Sequence, residues 1–470
     1  MWIESLSARM LLAADLGWAF ARGGGGYDRG AALAVDPSGN AVVAGVFNGT
    51  LDFDPTAGVA SAKAPAANSA FIAKYTTGKA VAWVKALGGS GEQNVQGVAT
   101  DGAGNVYAAG YFSGTLDFDP GSGTSKITAK GRRDGFIVKL SSSGSFVWAK
   151  ALGGASDEGV TALATDAAGN VYAAGMFNGA GDFDPGAGTR TLTSAGGFDV
   201  FAVKLSGGGH LAYAVRVGNG GYDTANGVAV DSAGRATLVG SFAGTIDLNP
   251  AAAVATRTAA GGTDVFVLQL DAGGAYRNGV DFGGSGVDAP GDVRLDAGGN
   301  AVVVGQFTAV MDADPSGATR SLAAAGATDG FIVKLTPSLG HAWSRRFGSG
   351  GADRATNLAV DRGGAVYVTG QYSGRVDFSG GAGTGWHTSV NGSKDAFALK
   401  ITTGGAFAWA RAAGGPGGDD VGEAIGVTGA GRLYTSGAFT GTLAVAGPGR
   451  PVYLPSAGGS DLFLWQLINL

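Results

Sequence analysis

Six times along the chain, two polar positions bracket one apolar residue just ahead of a turn. The fullest copy is Asp117-Phe118-Asp119-Pro120. The first positions are Asp52, Asp117, Asp182, Asp247, Asp312 and Asp377; the second are Asp54, Asp119, Asp184, Asn249, Asp314 and Ser379. In extended chain, residues i and i+2 point to the same side. Two carboxylates so placed can hold a hard cation such as Ca²⁺, with loop carbonyls completing the shell. Asp52, Asp54, Asp117, Asp119, Asp182, Asp184, Asp312 and Asp314 are therefore the candidate Ca²⁺ ligands. Their spacing is sparser than the Asp-x-Asp-x-Asp-Gly run of strong calcium loops, so the expected affinity is weak. The competing reading is that each Asp caps its own loop amides.

A second acidic set comprises Asp28, Glu158, Asp223, Asp288, Asp353 and Asp420, with Gln93 as the exception. These positions suggest an acidic ring on a loop face, near an axis; the competing reading is again the capping of loop amides. A third set, Asp134, Asp199, Asp264, Asp329, Asp395 and Asp461, has Ser69 as its exception. Recurrence in nearly every copy argues for a structural role, because an active site is normally made once. Lys74, Lys139, Lys204, Lys334 and Lys400 also recur and read as salt-bridge partners. Catalytic signals are missing from the sequence. His210, His341 and His387 stand singly at non-equivalent positions, and there is no Gly-x-Ser-x-Gly elbow or His-Glu-x-x-His pair. No catalytic residue or cofactor is assigned beyond the Ca²⁺ candidates.

What must position these residues is a repeat. Asp36, Asp101, Asp166, Asp231, Asp296 and Asp361 each precede a Gly-containing turn and follow one another at 65-residue intervals, with Thr428 at the seventh anchor. In the second copy, 95–100, 106–112, 135–140 and 146–152 read as strands a, b, c and d. Four short antiparallel strands per repeat mark a β-propeller blade. The last copy stops at strand c (462–467), while a spare strand (18–22) precedes the first anchor. The expected fold is all-β, a seven-bladed propeller over 17–470, with the N-terminal strand completing the seventh blade. Residues 1–16 read as a disordered leader. In such a ring the b–c and d–a loops share one face, which would gather the acidic sets.

Composition agrees. Glycine supplies 89 of 470 residues, far above the usual ~7 %, and it clusters between short β-branched and aromatic runs. The net charge of −5 and the absence of long basic stretches argue against nucleic-acid binding. No apolar run approaches the ~20 residues that span a bilayer. With no cysteine, disulfides and thiol chemistry are excluded.

Val98-Ala99-Thr100-Asp101, Gly104-Asn105-Val106-Tyr107, Asp134-Gly135-Phe136-Ile137-Val138-Lys139-Leu140 and Leu152-Gly153-Gly154 resemble the SBBP repeat, the seven-bladed β-propeller repeat of bacterial secreted and surface proteins. Leu6, Arg9, Leu11 and Leu12 resemble the LEPRxLL segment of large exported bacterial proteins, with Ser7 and Ala8 in place of its Glu-Pro. These resemblances imply an extracellular or cell-surface location. The expected function is a non-enzymatic, monomeric binding or structural module for a protein or glycan. The alternative is a propeller hydrolase or lyase acting on carbohydrate through loop-face carboxylates.

Overall fold

The computed structural model describes residues 15–468 apart from 252, 382 and 446–450. The LEPRxLL-like stretch at 6–12 and most of the segment read as leader lie outside the described residues.

Each blade begins from the anchor turn. Asp101 Oδ1 accepts the amides of Ala103 (3.0 Å) and Asn105 (2.9 Å). Gly104, at φ +77°, closes the turn through its amide to Asp101 O (2.9 Å). A residue with a Cβ resists that left-handed conformation. The turn sets the register between strand a (Gln93–Thr100) and strand b (Val106–Phe112). Strands c (Asp134–Leu140) and d (Phe146–Gly154) follow, all antiparallel. Thr428 replaces the anchor Asp in the last copy, and its Oγ1 still accepts the Arg432 amide at 2.9 Å.

The protein is an all-β propeller built from four-stranded antiparallel blades. Among the described residues eight sheets have three or more strands, one more than the seven expected. Seven of them contain the a–b–c–d core. The eighth joins Gly88–Gly89, Thr115–Asp117 and Lys126–Thr128 and has no blade core of its own.

At the seam, Asp15–Arg22 pairs antiparallel with Asp461–Ile468, the last strand. Phe20 lies opposite Leu464 and Ala19 opposite Trp465. The strand begins at Asp15, so the last two residues of the segment read as leader belong to it. The seam repeats the staple used elsewhere in the ring. Trp18 Nε1 donates to Thr77 O of the next blade (3.2 Å), as Trp83 does to Ser142 O (3.2 Å), Trp148 to Gly207 O (3.1 Å) and Trp343 to Thr403 O (3.1 Å).

Short hairpins missed from the sequence occupy the b–c loops. Thr115–Asp117 pairs with Lys126–Thr128 and also with Gly88–Gly89, at the end of the preceding blade's outer strand. Ala180–Asp182 and Val310–Asp312 pair in the same way with Gly153-Gly154 and Gly283-Gly284. Each hairpin thus runs antiparallel to strand d, back down from the face where strand d ends. The hairpins cover part of an otherwise open sheet edge.

Candidate functional site

Strand polarity corrects the expected position of the Asp-x-Asp-Pro motif. It sits at a hairpin tip on the outer rim, away from the loop face. Its middle residue does the packing. Phe118 is fully buried, 5.3 Å from Phe112 and 5.2 Å from Phe136 between ring centroids. The flanking carboxylates cap the loop. Asp117 Oδ1 accepts the amides of Asp119 (3.2 Å) and Ser125 (2.8 Å), and Asp119 Oδ1 accepts that of Gly121 (2.8 Å). Asp52, Asp182 and Asp312 each take amides two and eight residues ahead, and Asp54, Asp184 and Asp314 each take the amide two ahead. Among the described residues no group of three or more His, Asp or Glu is placed to hold a metal ion. The geometry is that of the capping reading.

The expected acidic ring is also relocated. Asp28, Glu158, Asp223, Asp288, Asp353 and Asp420 are all buried. They line no part of the axial cavity; each meets a member of the third acidic set across a blade junction. The pairs are Asp28 with Asp461, Glu158 with Asp134, Asp223 with Asp199, Asp288 with Asp264, Asp353 with Asp329 and Asp420 with Asp395. A glycine makes room for them. A Cβ on Gly283 would stand 2.6 Å from Asp264 Oδ1 and 2.8 Å from Asp288 Oδ2. The two sequence exceptions fall at the same junction: Ser69 and Gln93 form its neutral counterpart, with Gln93 Oε1 accepting the Ala70 amide at 3.1 Å.

Burial pushes the Glu158, Asp223, Asp288, Asp353 and Asp420 carboxyls up, and the junction partner's charge adds to the effect. Glu158, Asp223 and Asp288 are raised to about 7, Asp353 to about 6 and Asp420 to about 8. Two like charges in a buried site resist joint ionisation, so such a pair keeps a proton. Two junctions add a cation: Arg216 Nη1 lies 2.8 Å from Asp199 and Arg346 Nη1 2.5 Å from Asp329.

The recurrent lysines divide into two arrangements. Lys74 and Lys334 bridge the anchor carboxylates Asp36 (2.6 Å) and Asp296 (2.8 Å), as expected. Lys139, Lys204 and Lys400 instead lie over the rings of Tyr107, Tyr172 and Tyr367 at 5.0, 5.0 and 5.3 Å. Those tyrosine hydroxyls reach the anchor Asp themselves, at 3.0–3.2 Å. Where strand b carries Val42 or Val302, the lysine takes the place of that hydroxyl.

The site that does not repeat is the axis. Strand a of every blade contains a β-bulge, where one residue drops out of register with strand b. The skipped residues are Ala31, Gln96, Thr161, Asn226, Gly291, Thr356 and Glu423. All seven line an axial cavity of about 500 Å³. The framework is near-identical in each blade, while this position holds six residue types.

One sector departs further. Asp292 stands where five other repeats have Ala or Gly and the sixth has Asn357, and Arg294 where all six have Ala or Gly. Arg294 Nη1 lies 2.9 Å from Asp292 Oδ1. Asn357 Nδ2 donates to Asp292 Oδ2 at 2.9 Å. Burial raises Asp292 to about 6, against the pull of the Arg294 charge. Arg354 and Gln306 also line this sector, and Arg29 faces Glu423 at 3.4 Å. The charged groups belong to the fifth, sixth, seventh and first repeats; the second to fourth contribute the neutral Gln96, Thr161 and Asn226. A repeat-by-repeat comparison of strand a carries the signal for this sector, because Asp292 and Arg294 interrupt a column of Ala and Gly.

No protein-family model matches this sequence, and no curated protein does. Among solved structures the chain is similar to the crystal structure of Sqt1 from Chaetomium thermophilum, at 10% identity over 97% of this chain and 99% of that chain, with a TM-score of 0.41. The propeller assignment rests on the strand pairing itself.

Proposed function

We propose that the protein is a non-catalytic binding module of the bacterial cell exterior, engaging a protein or glycan through its axial channel. The observation that supports this is the contrast between a repeated framework and a non-repeating axis. Variation concentrated at the seven inward-projecting bulge positions and at the neighbouring Asp292 and Arg294 is what a binding surface on a rigid scaffold requires. The polar groups around Asp292 are held by one another, which suits recognition more than turnover. We also infer a closed ring of seven blades, with the eighth sheet an appendage of the second blade. The exterior location follows from the resemblance to secreted SBBP-repeat proteins.

The test is a calorimetric binding screen against a panel of oligosaccharides, with recovery of the ligand afterwards. A bound ligand recovered unchanged, and lost in an Ala31→Trp variant that fills the channel without changing the melting curve, supports the proposal. Turnover of the ligand, or binding indifferent to the plug, refutes it.

A further inference from the structure

We propose that the axial channel takes a hydroxylated carboxylate, of which a uronic acid residue is the type, with its carboxylate at Arg354 and its hydroxyls toward the neutral sector. This deepens the binding-module reading and rests on it.

Three arginines and two carboxylates line the cavity. Two of the arginines are matched: Arg29 with Glu423 and Arg294 with Asp292. Among the described residues Arg354 has no ion-pair partner within 4.0 Å; its Nε, like that of Arg29, is buried without a hydrogen-bond acceptor, but Arg29 has the Glu423 carboxylate beside it and Arg354 has none. A guanidinium nitrogen withdrawn from water without an acceptor is costly. A ligand carboxylate relieves that cost, because its two oxygens match the planar donor fork. Arg354 shares its strand position with Arg29, two residues before the bulge, so both arginines stand at the same level of the channel.

The opposite side sets the rest of the ligand. Gln96 and Asn226 each carry donor and acceptor atoms and line the cavity, and Gln96 is exposed to it. Amides facing a carboxylate-binding arginine suit a ligand with several hydroxyls. Thr161 and Thr356 are engaged by the framework, with their hydroxyls on Ala225 O (2.6 Å) and Gly422 O (2.5 Å). A cavity of about 500 Å³ falls within the range of ordinary small-molecule sites, about 300–1,000 Å³. That is room for a sugar acid, free or at the end of a glycan chain.

Titration calorimetry on the full chain near pH 7 and low salt tests this, with glucuronate, a glucuronate-terminated disaccharide, glucose and inorganic phosphate as probes. Glucuronate is expected to bind at least tenfold tighter than glucose and to weaken as salt is raised. Arg354→Gln is expected to lose at least tenfold in glucuronate affinity, and Arg354→Lys less. Arg320→Gln, on an outer hairpin, is expected to change nothing. The disaccharide decides the source: tighter binding than the monosaccharide assigns a glycan terminus, and weaker binding a free sugar acid, both within the proposal. Equal affinity for glucose and glucuronate, equal affinity for phosphate, no binding of glucuronate, or an Arg354→Gln variant that binds normally would each overturn it. If glucose binds and Ala31→Trp blocks it, the binding-module reading survives while the carboxylate inference falls.

Discussion

At the scale of single residues, Asp-Phe-Asp-Pro combines a plug and two caps. Alternation along extended chain sends Phe118 into the core and leaves Asp117 and Asp119 to the loop amides. Replacing Phe118 by Ala should therefore cost about 3–5 kcal/mol, since it empties a packed aromatic cluster. Asp117→Asn keeps an acceptor oxygen and should cost about 1 kcal/mol or less. Chemical denaturation of the two variants checks the contrast. A calcium titration of the parent chain belongs beside it. Heat at millimolar Ca²⁺ that disappears in Asp117→Asn would restore the metal reading to a site where one oxygen of each carboxylate already holds a backbone amide.

Among the elements, the blade junction carries the main pH dependence. Junction carboxyls with raised pKa values bind protons more tightly folded than unfolded. Their contribution is fully present below the ordinary carboxylate range and is lost as pH rises through about 6 to 8. The anchor carboxyls act the other way. Burial works against ionisation of Asp36 and Asp296, but hydrogen bonds from Lys74 and Lys334 prevail and lower both. That contribution is lost as pH falls below the ordinary range. Thermal melts should accordingly show greatest stability in mildly acidic buffer and a decline from pH 6 to pH 8. The Ser69–Gln93 junction supplies the control design. Asp264→Ser combined with Asp288→Gln copies it elsewhere in the ring and should flatten the decline. A double variant with the parent's pH profile would show that the pairs do not titrate as argued.

For the whole molecule, the seam decides cooperativity. The strand from Asp15 to Arg22 supplies the outer strand of the last blade and the Trp18 staple to the first. Removing residues 1–22 exposes Asp461–Ile468 as an edge and breaks the ring. Scanning calorimetry should show a melting temperature lowered by many degrees, and an unchanged curve would mean that closure lies elsewhere. Trp18→Phe isolates the staple alone and should cost about 1 kcal/mol, the size of one net hydrogen bond.

By itself the sequence determined the repeat, the four strands of each blade and the displaced first strand. These depend on local turn chemistry at Asp36 to Asp361 and on alternating burial, both of which act over a few residues. It also displayed the exceptions at Ser69 and Gln93, but as members of separate acidic sets. Only the tertiary structure made them one junction, because they lie on neighbouring blades, 24 residues apart in the chain. The outer hairpins escaped detection because three-residue strands are too short to show a period, and their direction is set by pairing with the preceding blade. The bulge that turns Gln96, Asn226 and Glu423 toward the axis is likewise a mismatch between two strands and leaves no mark in either one alone. Local forces wrote the blades; the closing of the ring chose which residues meet at the blade junctions and at the axis.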